Sequence, residues 1–146
     1  MRRACAIKAA GQWPTASAID RVVLDADDRQ RRRIVLTGEK GTTILLDFEK
    51  PVTLRDGDGL VLDDDSIVQV AGIAESLVEV GARSPLALVR LAWHLGNRHT
   101  DVQIAGEKLR IRRDHVLEDM LTGLGANVTP LEAPFDPESN GHGHAG

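Results

Sequence analysis

Apolar and polar positions change their rhythm near residue 70. Upstream, short apolar stretches alternate with turns and show no helical period. Residues 2–10 alternate weakly and predict an edge strand. Ile19–Leu24, with its β-branched centre, predicts a second. Four arginines, at 29, 31, 32 and 33, run into Ile34, Val35 and Leu36. Gly38, Lys40 and Gly41 predict a turn, Thr42–Asp47 a strand and Pro51–Leu54 a further short one. Arg55-Asp56-Gly57-Asp58-Gly59 is a strong turn signal. Leu60–Leu62 and Ile67–Val70 flank Asp63-Asp64-Asp65-Ser66, a hairpin with an acidic tip. These elements predict a small all-β domain over residues 1–70.

Downstream the period lengthens. Ile73–Val80 alternates as a strand. Ser84-Pro85 is a helix start, with the hydroxyl as N-cap and proline at the first helical position. Leu86, Val89, Arg90 and Trp93 follow at helical spacing, and Leu88, Ala92 and Leu95 widen the apolar face. Gly96-Asn97 predicts the helix end. Val102–Ala105 and Lys108–Arg112 predict strands around Gly106. Asp114 predicts a cap for a helix over Val116–Leu124, and Ala126–Leu131 the last strand. The order β-α-β-β-α-β is the ferredoxin-like pattern, a sheet with two helices on one face. It occupies residues 71–133, and residues 134–146, rich in Pro, Gly, Ser and Asn, read as a flexible histidine-bearing tail. The fold class is therefore α+β.

Composition narrows the function. The 146 residues are 42% hydrophobic but only 3% aromatic, so the core must be aliphatic. A net charge of -4 argues against a nucleic-acid binder. No apolar run is long enough to span a membrane. The start, MRRACAIKAAG, is charged but lacks the apolar centre of a signal peptide, which predicts a cytoplasmic protein. The single cysteine, Cys5, has no internal disulfide partner and reads as a small apolar filler.

The chemistry concentrates in Trp93–His115, which carries His94, His99 and His115, three of the five histidines. His94 stays on the helix beside Trp93 and reads as packed. His99 lies beyond the helix break, where its side chain reaches outward. His115 stands just inside the second helix, where it is either a surface residue or a ligand oriented by Asp114. His142 and His144 are separated by one glycine, a spacing that can close on a metal with little strain. The candidate metal ligands are His99, His115, His142 and His144. No HExxH, CxxC, GxSxG or Walker sequence is present, which predicts no enzyme. A ferredoxin-like RNA-binding module and a metal-dependent hydrolase are the rival readings; the first needs exposed aromatics on the sheet, the second a general base beside a histidine cage. The arginine run reads as an exposed strand edge balanced by Asp25, Asp27 and Asp28, or as a docking patch for RNA or an acidic partner.

WHLGNRH (93–99) followed by VQI (102–104), LRIRRDHVLEDMLTGLGA (109–126) and PFDPE (134–138) resemble the UreE family of urease accessory nickel carriers. RQRRRIVLTGEKG (29–41), LRDGDGL (54–60) and IVQVAGIAESLVEV (67–80) match it more loosely. The resemblance implies an amino-terminal domain like the peptide-binding domains of chaperones. It implies a ferredoxin-like second domain through which two copies form a homodimer. It implies that His99 of each copy binds Ni(II) at the dimer interface, and that the histidines of the tail complete the coordination. The implied partners are apo-urease and the urease accessory GTPase, the implied role nickel insertion. Ligand chemistry alone does not choose nickel: Cu(II) or Zn(II) would bind the same donors in vitro. Where some relatives carry a histidine two positions before His115, this chain has Arg113, which removes a surface site built on that pair.

Overall fold

The computed structural model describes residues 1–138 of the chain. They divide into two compact units, Met1–Ile73 and residues 74–138. Among the described residues no helix is long and apolar enough to cross a membrane.

The first unit is a curled sheet of six strands: β1 (Arg2–Lys8), β2 (Ala18–Leu24), β3 (Gln30–Thr37), β4 (Thr43–Thr53), β5 (Gly59–Leu62) and β6 (Ile67–Gly72). Their order is β2-β6-β5-β1-β4-β3. The expected β5–β6 hairpin is present, with Leu60 opposite Val68. Ile44, Leu46, Leu60, Leu62, Val68 and Val70 form the centre of its aliphatic core. Two strand expectations are corrected. β1 is not an edge: it lies between β5, antiparallel, and β4, parallel. The strands expected at Thr42–Asp47 and Pro51–Leu54 are not separate but merge into the single β4, Thr43–Thr53. The register slips between Arg31, opposite Val52, and Arg33, opposite Asp47. That irregularity accommodates Pro51, which has no N–H to give a regular ladder.

Polar groups inside this unit are tied down. The Asp20 carboxylate accepts from the backbone N–H groups of Arg21 (2.7 Å), Lys40 (2.9 Å) and Thr42 (3.1 Å). Burial alone would raise its pKa; the Thr42 hydroxyl and these backbone donors outweigh that and hold it at about 2. A Cβ on Gly38 would lie 2.2 Å from Asp20 Oδ2, so only glycine fits beside the carboxylate. Asp58 pins the Arg55–Gly59 turn by accepting from Arg55 N–H at 2.7 Å and Ala10 N–H at 3.0 Å. Arg29 departs from the exposed-edge expectation. It is buried, and its guanidinium donates to the carbonyls of Leu24 and Leu54. The turn in which Arg29 N–H donates to Asp25 carries the side chain inward, while Arg32 and Arg33 stay exposed.

The second unit has the element order the pattern predicts: β7 (Ala74–Gly81), α1 (Pro85–Asn97), β8 (Gln103–Ala105), β9 (Lys108–Arg112), α2 (His115–Gly123) and β10 (Asn127–Pro134). The sheet order is β10-β7-β9-β8, antiparallel throughout. Val78, Val80, Leu109 and Ile111 lie on one sheet face and pack with Leu91 and Leu95 of α1 and Leu121 of α2. Both helices therefore cover the same face. Both predicted caps are made: the Ser84 hydroxyl accepts from Ala87 N–H, and the Asp114 carboxylate from Leu117 N–H at 3.0 Å. Residues 134–138, expected as the start of the tail, are held in place. Pro134 ends β10, Phe135 is buried, and Glu138 N–H donates to the Val102 carbonyl.

Candidate metal centre

α1 determines where His99 stands. After Asn97 the chain closes the helix with two backbone hydrogen bonds, His99 N–H to the Gly96 carbonyl (3.0 Å) and Thr100 N–H to the Leu95 carbonyl (3.1 Å). This is the Schellman arrangement, whose turning residue sits in the left-handed region and is usually glycine. Here that residue is His99, at φ 58°. The helix ends at Asn97, as the Gly96-Asn97 signal predicts, but the left-handed residue that closes it is His99 and not a glycine. An L-residue in this region costs about 1 kcal/mol or more relative to glycine. In return the imidazole is exposed beyond the helix end, and the backbone behind it is fixed by its own hydrogen bonds.

The neighbouring helix surface differs from the expectation. Leu88, Leu91, Ala92 and Leu95 face the sheet. Leu86, Val89 and Trp93, read from the sequence as part of that same face, form a separate stripe, with 59%, 63% and 64% of their surface in solvent. Spacings of three and four residues place the three on one side of the helix. His94 is half-buried, with its ring edge-on to Trp93 at 5.1 Å between centroids. The signal for a second stripe was in the sequence: α1 carries more apolar residues than a one-sided helix needs.

His115 opens α2 and is exposed, with Nε2 3.5 Å from Asp119 Oδ2. Asp114 does not orient it. Its carboxylate caps the helix, and its own N–H donates to Glu118 Oε2. Arg113 pairs with Glu118 at 2.9 Å. A depression beside the His99 turn is lined by Thr100, Asp101, Arg112, Arg113, Asp114 and Leu117. Arg112 spans it, with ion pairs to Asp101 (3.3 Å) and Glu75 (3.0 Å). Glu79 is held below the usual carboxylate range by hydrogen bonds from Lys108 and then Arg110, against the opposing effect of burial. Among the described residues, no three His, Cys, Asp or Glu side chains gather closely enough to hold a metal. His142 and His144 lie outside the described residues.

A family model described as the N-terminal domain of the UreE urease accessory protein matches residues 3–71, and one described as its C-terminal domain matches residues 75–146. This chain belongs to the UreE family. The urease accessory protein UreE of Rhodopseudomonas palustris strain BisB18 is 51% identical over all of this chain and 72% of its own length. UreE of Bradyrhizobium sp. strain ORS 278 is 52% identical over 97% of this chain and 67% of its own. UreE of Beijerinckia indica is 43% identical over all of this chain and 84% of its own. The UreE matches begin near the amino terminus and run into the segment that carries His142 and His144, so both units and the residues beyond Glu138 fall within the family.

Proposed function

We propose that this UreE protein is a nickel metallochaperone, which binds Ni(II) and delivers it to apo-urease during assembly of the urease metallocentre, with no turnover of its own. The observation that carries this reading is the placement of His99, an exposed imidazole on a rigid helix cap. A neutral imidazole is a good donor for Ni(II). One imidazole holds a metal weakly, and a two-fold axis doubles it without further sequence. The exposed stripe Leu86, Val89 and Trp93, on the helix that ends at His99, supports a homodimer formed through residues 74–138. His142 and His144 add ligands to the pair of His99 side chains, and His115 contributes less. Exchange at such an open site suits a carrier, which must release its cargo to urease and to the accessory GTPase in the cytoplasm. The amino-terminal unit engages a protein partner, through Arg32 and Arg33 rather than the buried Arg29. No part is assigned to nucleic acid or membrane.

Titration of metal-free protein with Ni(II) tests the reading. We expect one tightly held nickel per dimer. His99→Ala should abolish it, weakening binding by at least about 100-fold, or roughly 2.7 kcal/mol. A tight site that survives His99→Ala overturns the assignment of the ligand.

A further inference from the structure

The edge strands of the two sheets are β2 and β3 in the first, β10 and β8 in the second. Three of them are closed to a further strand. The turn at residues 38–42 is bonded onto β2: Glu39 N–H donates to the Arg21 carbonyl at 2.9 Å, and Lys40 and Thr42 N–H to the Asp20 carboxylate. Pro130 and Pro134 interrupt the donors of β10. β8 is three residues long, and Glu138 N–H takes the Val102 carbonyl beside it. β3 is the exception. It runs for 8 residues without proline, about 26 Å at ~3.3 Å per residue. Among the described residues, its backbone over residues 31–36 bonds to β4 alone.

This edge also has a sign. Arg32 and Arg33 are exposed and enter no ion pair among the described residues. Arg31 pairs with Asp28 at 3.0 Å, and Asp47, which stands opposite Arg33, is held by Arg3 at 3.2 Å. Ile34 and Leu36 pack into the core, so alternation puts Arg33 and Val35 together on the outer face, where Val35 is 54% exposed. We propose that β3 takes an added strand: an extended acidic segment of a partner protein pairs main chain to main chain along residues 31–36, with a carboxylate at Arg33 and an apolar side chain, two positions away, at Val35. This rests on the reading that the amino-terminal unit engages a protein partner through Arg32 and Arg33, and it supplies the manner of engagement. In such a pairing main-chain bonds give affinity, and side chains at alternate positions give selectivity. Charge decides the occupant. A second copy of β3 would set arginines against arginines, which is how edges are kept from pairing with themselves. An acidic strand meets the opposite sign.

The test uses the full chain and a short fluorescent peptide repeating Glu-Thr-Val-Thr, which carries a carboxylate and an apolar side chain two positions apart on one face. The same peptide with lysine in place of glutamate is the control. Fluorescence anisotropy should show the lysine peptide bound at least about 10-fold more weakly, and the double variant Arg32→Glu, Arg33→Glu should weaken the acidic peptide by about 10-fold. Amide hydrogen exchange of the wild type, read by NMR, should slow at alternate residues of 31–36 when the acidic peptide is bound, and nowhere in β2. That measurement decides the matter even if the double variant fails to fold. An acidic peptide that does not bind, or that binds without protecting β3, would overturn strand addition. In the second case a loss in the double variant would still leave the arginines as a docking patch, whereas binding indifferent to both arginines would sink that reading as well. Protection of β3 in the free protein that rises with its concentration would give the edge to a second copy. Displacement of the peptide by oligouridylate at a lower concentration than by unlabelled peptide would give it to RNA, and either result overturns the proposal.

Discussion

In residues 1–73 the charged side chains that leave solvent end on partners within the unit: Asp20 on three backbone N–H groups, Asp58 on two, Arg29 on carbonyls. In residues 74–138 the conspicuous groups are those left outward: His99 on its cap, and Leu86, Val89 and Trp93 along α1. All five histidines also lie beyond residue 93. One unit is built around buried polar bonds that serve its own fold. The other has a complete core of its own and still presents apolar surface and a donor atom. Surface that a fold does not need for itself is the better guide to what it binds.

If that contrast is right, damage to the two units should separate. The largest effect on stability is expected from Asp20→Ala, which takes the acceptor from three part-buried backbone N–H groups. Urea unfolding should show a loss of about 1–3 kcal/mol, with the nickel affinity of folded protein unchanged. The same carboxylate sets an acid limit. Its pKa is about 2 in the folded chain against an ordinary 3.8, so its stabilisation is complete above about pH 4 and is lost as pH falls through about 2. Asp20→Asn should flatten this part of the stability profile; an unchanged profile would mean that other carboxylates govern it.

A smaller and opposite pattern is expected on α1. Trp93→Glu places a charge in the exposed stripe and should weaken self-association by about 10- to 100-fold, equivalent to roughly 1.4–2.8 kcal/mol. Sedimentation would read this, and the unfolding midpoint of the first unit should stay put. Unaltered association would show that the stripe is not the dimer surface. The smallest effect is the most diagnostic. His99→Gly relieves a left-handed histidine and should stabilise the protein by up to about 1 kcal/mol while removing the tight nickel. Lower stability in thermal unfolding would show that the imidazole helps to hold the cap.

Much of the second unit could be read from the chain because its signals are local. Ser84-Pro85 and Asp114 are caps whose donors lie three residues away, and the β-α-β-β-α-β order follows from period alone. The first unit was legible as strands but not as a sheet. β1 reaches the interior through a parallel pairing with β4, more than forty residues away, and nothing near Arg2–Lys8 announces it. Periodicity likewise names the apolar positions of α1 without saying which stripe meets the sheet. Leu91 and Leu95 went inward while Trp93 stayed out. The His99 side chain was legible as a candidate. Its left-handed backbone was not, because the glycine expected to turn the chain, Gly96, remains helical. Phe135 was lost in a segment whose composition reads as loop.

The cap at the end of α1 closes through main-chain atoms alone, so the side chain at position 99 is released from any duty to the helix. The donor there can be exchanged, imidazole for thiolate or carboxylate, without rebuilding the scaffold behind it. On the proposed reading of His99 as the metal ligand, metal preference could be retuned at this one position before any other residue has to change.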